Sequence, residues 1–319
     1  MAGREPAGGK PAVDPATDGG TEASLDELPS ETATPAGGAA GLVLVSTPIG
    51  NLGDLSARAV ATLRQADAVL CEDTRVTGPM LSRQGVGTPL LPLHDHNEDA
   101  VTPRLLDRMR AGQRLALVSD AGTPLMSDPG FRLTRAAIEA GLPVSAVPGP
   151  NAAVMALTLS GLPPHPFLFA GFLPSKAGAR AAEVARLATL ERAGLRATLI
   201  FYEAPHRLAE TLAALAEGLG ERPAAVAREL TKRFEEVRRG SLAELAAHYA
   251  AQAARGEIVV VVGPAGEEAA PDEDALDAKL REALNAGATL RDAAAMVAAA
   301  TGLPRRQVYN RALQLGSTR

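Results

Sequence analysis

From residue 41 onward, short apolar runs alternate with stretches in which apolar positions recur every three to four residues. Apolar runs bounded by polar or glycine-containing turns read as buried strands, and the helical period reads as helices that bury one face. On this basis strands are predicted at 43–46, 68–72, 114–119 and 143–147, and helices at 56–65, 77–84, 99–110, 130–140 and 151–160. Strands alternating with helices of this length imply an α/β domain around a largely parallel sheet. The segment GLPPHP, 161–166, cannot stay helical through its prolines and makes a hinge. A second α/β unit follows, with strands at 167–172, 198–202, 224–229, 234–238 and 258–262 and helices at 178–192, 206–218 and 241–253.

Outside these units the pattern changes. Residues 1–40 are rich in Pro, Gly, Ala, Thr and acids and show no apolar periodicity, so they bury too little to offset the entropy of ordering. The expected organisation is a disordered acidic tail (1–40), an N-terminal α/β domain (41–160) and a C-terminal α/β domain (161–264), then an acidic linker (265–278) and a basic helical extension (279–319) whose helices break at NAG and TGLP.

Composition narrows the class. With 46% hydrophobic and 22% charged residues over 319 positions, two domains can each bury a core. Cys71 is the only cysteine, which excludes a disulfide framework and a multi-cysteine metal site and points to a reducing compartment, the cytoplasm. No run approaches the roughly 18–20 apolar residues of a membrane helix, and no apolar signal-peptide segment opens the chain, so a soluble protein is expected. The net charge of -5 is unevenly spread: 1–40 holds two bases and seven acids, 266–278 six acids and no base, and 279–319 seven bases against two acids. The basic end points to an anionic partner, with a solvated surface as the plainer alternative.

Loops at the carboxyl ends of parallel strands line the crevice where open α/β sheets bind ligands. Four such loops stand out. In STPIGNLGD, 46–54, the glycine spacing is not that of the dinucleotide fingerprint, which disfavours a nicotinamide cofactor. Its plain reading is a tight turn capped by Asp54 or Ser56. CEDTR, 71–75, carries three charges directly after a strand, as caps or as site residues. Apart from these four, HDHNE, 94–98, lacks the helical histidine spacing of HExxH, and no metal is expected. SDAGTPLMSDPG, 119–130, has two acids, two prolines and two glycines in twelve residues. Asp128 and Pro129 make sense there as capping and first-turn residues of the next helix, which leaves 119–124 unexplained. VPGPNA, 147–152, again turns into a helix.

The segments TPIGNLGD, CEDTR, HNE, SDAGTPLMSDPG, PGPNA, GFLP, FYEAPHR and ARELTK, in that order across about residues 42–263, resemble the ribosomal small-subunit methyltransferase I family of the tetrapyrrole methylase superfamily. The resemblance implies a two-domain tetrapyrrole-methylase-like fold (class III S-adenosylmethionine methyltransferase) with a small C-terminal helical extension, usually as a homodimer. It implies S-adenosylmethionine as cofactor and methyl transfer to the ribose 2′-hydroxyl of a cytidine in the decoding region of 16S rRNA in the small ribosomal subunit. Cofactor contacts are expected from Pro48, from Asp120, Ala121, Gly122, Thr123 and Pro124, from Pro150 and Asn151, and from Tyr202, Ala227 and Glu229. The alternatives are a small-molecule (tetrapyrrole) or protein methyltransferase of the same fold, and a noncatalytic ribosome-binding factor.

Methyl transfer from a sulfonium needs the acceptor oxygen in line behind the methyl, and a weakly acidic ribose hydroxyl benefits from a group that takes its proton. Candidates are Asp73, Glu203, His206 and Glu229, with the carboxylates favoured. Arg75, Arg207, Arg228 and Lys232 are candidates for holding RNA phosphates, or else are structural ion pairs. The C-terminal ATLRDAAAMVAAATGLPRRQVYNRALQL, with Arg305, Arg306 and Arg311, is compatible with a helix-turn-helix-like RNA-contacting module or a packing extension.

Overall fold

The computed structural model describes residues 40–266, 273–301, 303 and 305–316, all within one compact unit. The tail expected at 1–40 lies almost wholly outside the described residues. The first half runs β1 (Gly41–Val45), α1 (Ala57–Gln65), β2 (Ala68–Cys71), α2 (Thr74–Arg83), β3 (Leu90–Pro92), α3 (Glu98–Arg110), β4 (Arg114–Val118), α4 (Phe131–Glu139), β5 (Val144–Val147) and α5 (Ala152–Ser160). Its five strands form one parallel sheet in the order β3-β2-β4-β1-β5.

Side chains alternate across this sheet, as the two-residue period requires. Leu42, Leu70, Leu115 and Leu117 point to a core shared with Leu105 and Met109 of α3 and Leu133 and Ala137 of α4. Val43, Val45, Val69, Ala116 and Val118 face the opposite core with Leu63 of α1 and Leu81 of α2. Both faces are thus covered, which is why the strands read as unbroken apolar runs. β3 escapes a periodicity reading because it is only three residues long. α2 starts at Thr74, earlier than the predicted 77, because Asp73 accepts from the Arg75 N–H at 2.8 Å and caps it.

The second half runs β6 (Phe167–Phe172), α6 (Ala177–Arg192), β7 (Thr198–Glu203), α7 (Leu208–Leu219), β8 (Pro223–Arg228), β9 (Glu236–Ser241), α8 (Leu242–Ala251) and β10 (Ile258–Val262). Its sheet is mixed, in the order β6-β7-β10-β8-β9, with only β6 and β7 parallel. One face, including Leu199, Phe201, Val226 and Val260, packs under α6, α7 and α8. The other face, with Ile200, Ala225, Ala227, Val259 and Val261, packs on Ala153, Ala156 and Leu157 of α5, and Ile49 from the loop after β1 joins that cluster. A boundary at 160 therefore follows the chain but not the packing: α5 leaves the first sheet and covers the second. β9 lies at 236–241 rather than 234–238; as an edge strand with the sequence EVRRGS it has little apolar signal.

The last helices, α9 (Glu273–Asn285), α10 (Leu290–Thr301) and α11 (Arg305–Gly316), bury Leu276, Leu280, Ala294, Val297, Val308 and Ala312 against one another. The linker expected to reach 278 is already helical from Glu273. Asp277 in α9 binds Arg311 of α11 at 2.7 and 3.1 Å.

Candidate active site

The order β4-β1-β5 puts three of the four marked loops side by side. Val45 stands opposite Val118 on one flank and Val147 on the other, so the three strands end level and release their loops at one edge. The loops are then stitched together. Thr47 and Gly122 exchange backbone hydrogen bonds at 2.8 and 3.1 Å, and the Thr47 hydroxyl donates to the Ser119 carbonyl at 3.0 Å. The Thr123 hydroxyl donates to the Pro150 carbonyl at 3.0 Å. Gly122 holds φ +88, and a Cβ there would meet Ile49 at 3.2 Å.

Between these loops and the second sheet lies a cavity of about 400 Å³, within the usual range of about 300–1,000 Å³ for small-molecule sites. Its wall includes Ile49, Ala121, Gly122, Thr123, Ser127 and Asp128 from the first half, and Phe172, Tyr202, Ala227, Leu230, Glu257 and Val259 from the second. The wall is mainly apolar. The Phe172 and Tyr202 rings meet edge to face with centroids 5.6 Å apart. Burial pushes the Tyr202 phenol above its ordinary range.

Five of the expected cofactor residues, Ala121, Gly122, Thr123, Tyr202 and Ala227, come together on this wall. Six others are not on it, among them Glu229, which is held by Lys232 and the Glu257 N–H. Pro48 and Pro124 are buried in the loops, Pro150 supplies the carbonyl that receives Thr123, and Asn151 caps α5 by accepting from the Val154 N–H at 3.0 Å. Asp120 accepts from the Asp73 N–H at 3.2 Å, tying the CEDTR loop to the SDAG loop. Burial holds the Asp120 carboxyl above its usual range.

The carboxylates expected to take a proton are each engaged elsewhere. Asp73 receives the Arg75 guanidinium at 2.6 Å and is held at about 2, chiefly by that hydrogen bond. The Glu203 side chain is fully enclosed, accepting from the Thr211 hydroxyl at 2.5 Å and the Ala204 N–H at 2.7 Å. Glu229 binds Lys232 at 2.9 Å and the Glu257 N–H at 3.0 Å, which lower its pKa. His206 is exposed and not on the wall. The basic residues are engaged as well: Arg207 donates to the Leu173 carbonyl at 2.6 Å, Arg228 pairs with Glu236 at 2.6 Å, and Lys232 bridges Glu229 and Glu257. Arg75 is the most exposed of the four, with 88% of its side chain accessible.

Asp128 is a correction to the helix-cap reading. The N-cap of α4 is Gly130, at φ +112 and with no side-chain cap. The α4 N-terminus is instead served from α3, where the buried Glu98 accepts from the Leu133 N–H at 2.9 Å. Asp128 is left on the cavity wall, held by a loop in which Leu125 and Ser127 take the left-handed conformation at φ 71 and 72. Such positions in non-glycine residues cost on the order of 1–3 kcal/mol and concentrate at functional sites. Burial first, then the charges of Glu72, Asp120 and Asp95, push the Asp128 carboxyl up to about 6. The signal was present in the sequence, since Asp128 lies in the marked loop, but its position two residues before a helix invited the cap reading.

Among the described residues no group of His, Cys, Asp and Glu could hold a metal ion, and no helix is long and apolar enough to cross a membrane. In HDHNE, the Asn97 side chain accepts from the His94 N–H at 2.9 Å and so closes a turn before α3.

A family profile described as Tetrapyrrole (Corrin/Porphyrin) Methylases matches residues 41–246, and one described as the RsmI C-terminal HTH domain matches 269–316. The chain is 49% identical over 294 residues to the ribosomal RNA small subunit methyltransferase I of Mesorhizobium japonicum, covering 92% of this chain and 96% of that protein. Among solved structures, diphthine synthase superposes with a TM-score of 0.53 at 14% identity, over 70% of this chain and 90% of that one. A uroporphyrin-III C-methyl transferase from Thermus thermophilus, complexed with S-adenyl homocysteine, superposes at 0.50 with 20% identity, over 70% and 97%. These two share the fold. The family profile over more than half of the chain, and a relative nearly half identical along almost all of it, agree with the loops that build the cavity: the chain belongs to the tetrapyrrole methylase family, in its ribosomal RNA small subunit methyltransferase I branch.

Proposed function

We propose that this chain transfers a methyl group from S-adenosylmethionine to small-subunit ribosomal RNA, at the ribose 2′-hydroxyl of a cytidine in the decoding region. What carries this reading is the convergence of the family-matching loops on one cavity, in a chain 49% identical to a relative named as a methyltransferase of small-subunit rRNA. A homodimer in the cytoplasm belongs to the same reading, through the family resemblance.

The residues present fit such a cofactor. Gly122 offers bare backbone where a side chain would fill the approach, beside the Thr123 hydroxyl. Phe172, Leu230 and Val259 give an apolar wall suited to an adenine ring, with Tyr202 and Ala227 beside them. Asp128 adds negative charge, which favours a sulfonium. When bound, S-adenosylmethionine supplies an electrophilic methyl group. The chain's part is to hold the ribose oxygen in line, exclude water with the apolar wall, and receive the hydroxyl proton. Arg305 and Arg306, exposed at the start of α11, support contact with RNA phosphates.

The test is incubation of the protein with methyl-labelled cofactor and small subunits from cells lacking the gene. Label is expected in rRNA and, after digestion, in 2′-O-methylcytidine. Label on a base, on protein or on a tetrapyrrole overturns the reading, as does binding of cofactor without transfer.

A further inference from the structure

Resting on that function, the proton of the attacking ribose hydroxyl must go to some group at the cavity. The groups on the wall narrow the choice. Glu203 is enclosed and fully hydrogen-bonded, and Glu257 pairs with Lys232 at 3.1 Å. Burial and the nearby Asp128 charge both raise the Tyr202 phenol, so it holds its own proton at neutral pH. Asp128 has no hydrogen bond or ion pair among the described residues, and it opens on the cavity. It does not cap α4, since Glu98 does. Its place is set by the left-handed Leu125 and Ser127 on one side and by buried Pro129 and Gly130 on the other. The charged groups around it, Glu72, Asp120 and Asp95, are all acidic. A carboxylate kept without a partner beside three like charges destabilises the fold, and such arrangements concentrate where chemistry uses them.

We propose that Asp128 is the catalytic base, taking the hydroxyl proton as the ribose oxygen attacks the methyl carbon. The oxygen–carbon bond forms as the carbon–sulfur bond breaks, and the electron pair of that bond stays on sulfur. The hydroxyl proton passes to an Asp128 carboxylate oxygen. Positive charge on sulfur and negative charge on Asp128 disappear together, so the step balances, and the carboxylic acid then returns its proton to water. A base whose conjugate acid titrates near the working pH is suited to this transfer.

The test compares the full-length wild type with Asp128→Asn in three ways: calorimetric affinity for S-adenosylmethionine and for neutral S-adenosylhomocysteine, single-turnover transfer to small subunits across about pH 5–9, and infrared titration of the carboxyl in the free protein. Asp128→Asn is expected to bind neutral S-adenosylhomocysteine as the wild type does, to bind the cationic S-adenosylmethionine somewhat more weakly, and, at saturating cofactor, to transfer about 10²-fold or more slowly. The wild-type rate should fall on the acidic side with a midpoint near that of the carboxyl titration, about 6, and this limb should vanish in the variant. Transfer at the wild-type rate overturns the assignment. So does selective loss of S-adenosylmethionine affinity with the rate intact at saturation, which would make Asp128 a counter-ion only. If the variant fails to fold, the wild type still decides: a carboxyl that titrates near its ordinary 3.8, with no acidic limb in the rate, overturns the proposal. Absence of transfer to any RNA by the wild type overturns the proposed function, and this assignment with it.

Discussion

The main-chain N–H of Asp73 donates to the carboxylate of Asp120 at 3.2 Å, so the loop after β2 hangs on the loop that carries the cavity wall. Neither residue belongs to a hydrophobic core. Asp120→Ala is therefore expected to loosen both loops rather than unfold the chain. Calorimetry should show S-adenosylhomocysteine affinity reduced about tenfold, with stability changed by about 1 kcal/mol, a shift of a few degrees in Tm.

Gly122 carries a sharper constraint. Its φ of +88 disfavours any side chain, and a Cβ would crowd Ile49 at 3.2 Å while its backbone pairs with Thr47. Gly122→Val is expected to abolish ligand binding in calorimetry and to cost on the order of 1–3 kcal/mol by denaturant unfolding.

Asp128 separates function from stability. Its carboxyl titrates at about 6 in the folded chain against an ordinary 3.8, so folding favours the protonated form. That contribution is fully present below about pH 4 and is lost as pH rises through 6. Asp128→Asn, neutral throughout, should be more stable than wild type at pH 8 by on the order of 1 kcal/mol, after discounting for partial exposure, and the gap should close below about pH 4. Thermal unfolding at the two pH values checks this.

Glu191 of α6 and Arg222 before β8 form a buried pair at 2.7 Å, with side chains 5% and 8% exposed. Removing one partner strands a buried charge. Glu191→Ala is expected to cost about 3–5 kcal/mol, measured by denaturant unfolding. Ligand affinity of the folded fraction should be unchanged, because neither residue is on the cavity wall.

In the C-terminal helices Arg305 and Arg306 are exposed at the start of α11. If they meet RNA phosphates, reversing both to Glu should weaken binding to small subunits and flatten the dependence of log K on log salt by about one to two. Binding measured across a salt series reads this directly, and the affinity for S-adenosylhomocysteine should not move.

The alternation Leu42, Val43, Leu44, Val45 and its counterpart in 114–118 sufficed to foretell strands buried on both faces, because adjacent residues alone decide which side of a strand each side chain takes. The marked loops were legible for the same reason: each is contiguous and directly follows a strand. What tertiary structure decided are the pairings between residues far apart in the chain. Asp73 was open as a site residue until Arg75 and the loop of Asp120 closed around it. α5 reads as the end of the first domain, yet its apolar face is satisfied only by the second sheet. Asp128 reads as a helix cap until Glu98, 35 residues before Leu133, is seen to satisfy the start of α4. Local pattern sets the elements and where their loops emerge, whereas the state of each charge depends on which distant groups the fold brings to it and how much water it removes.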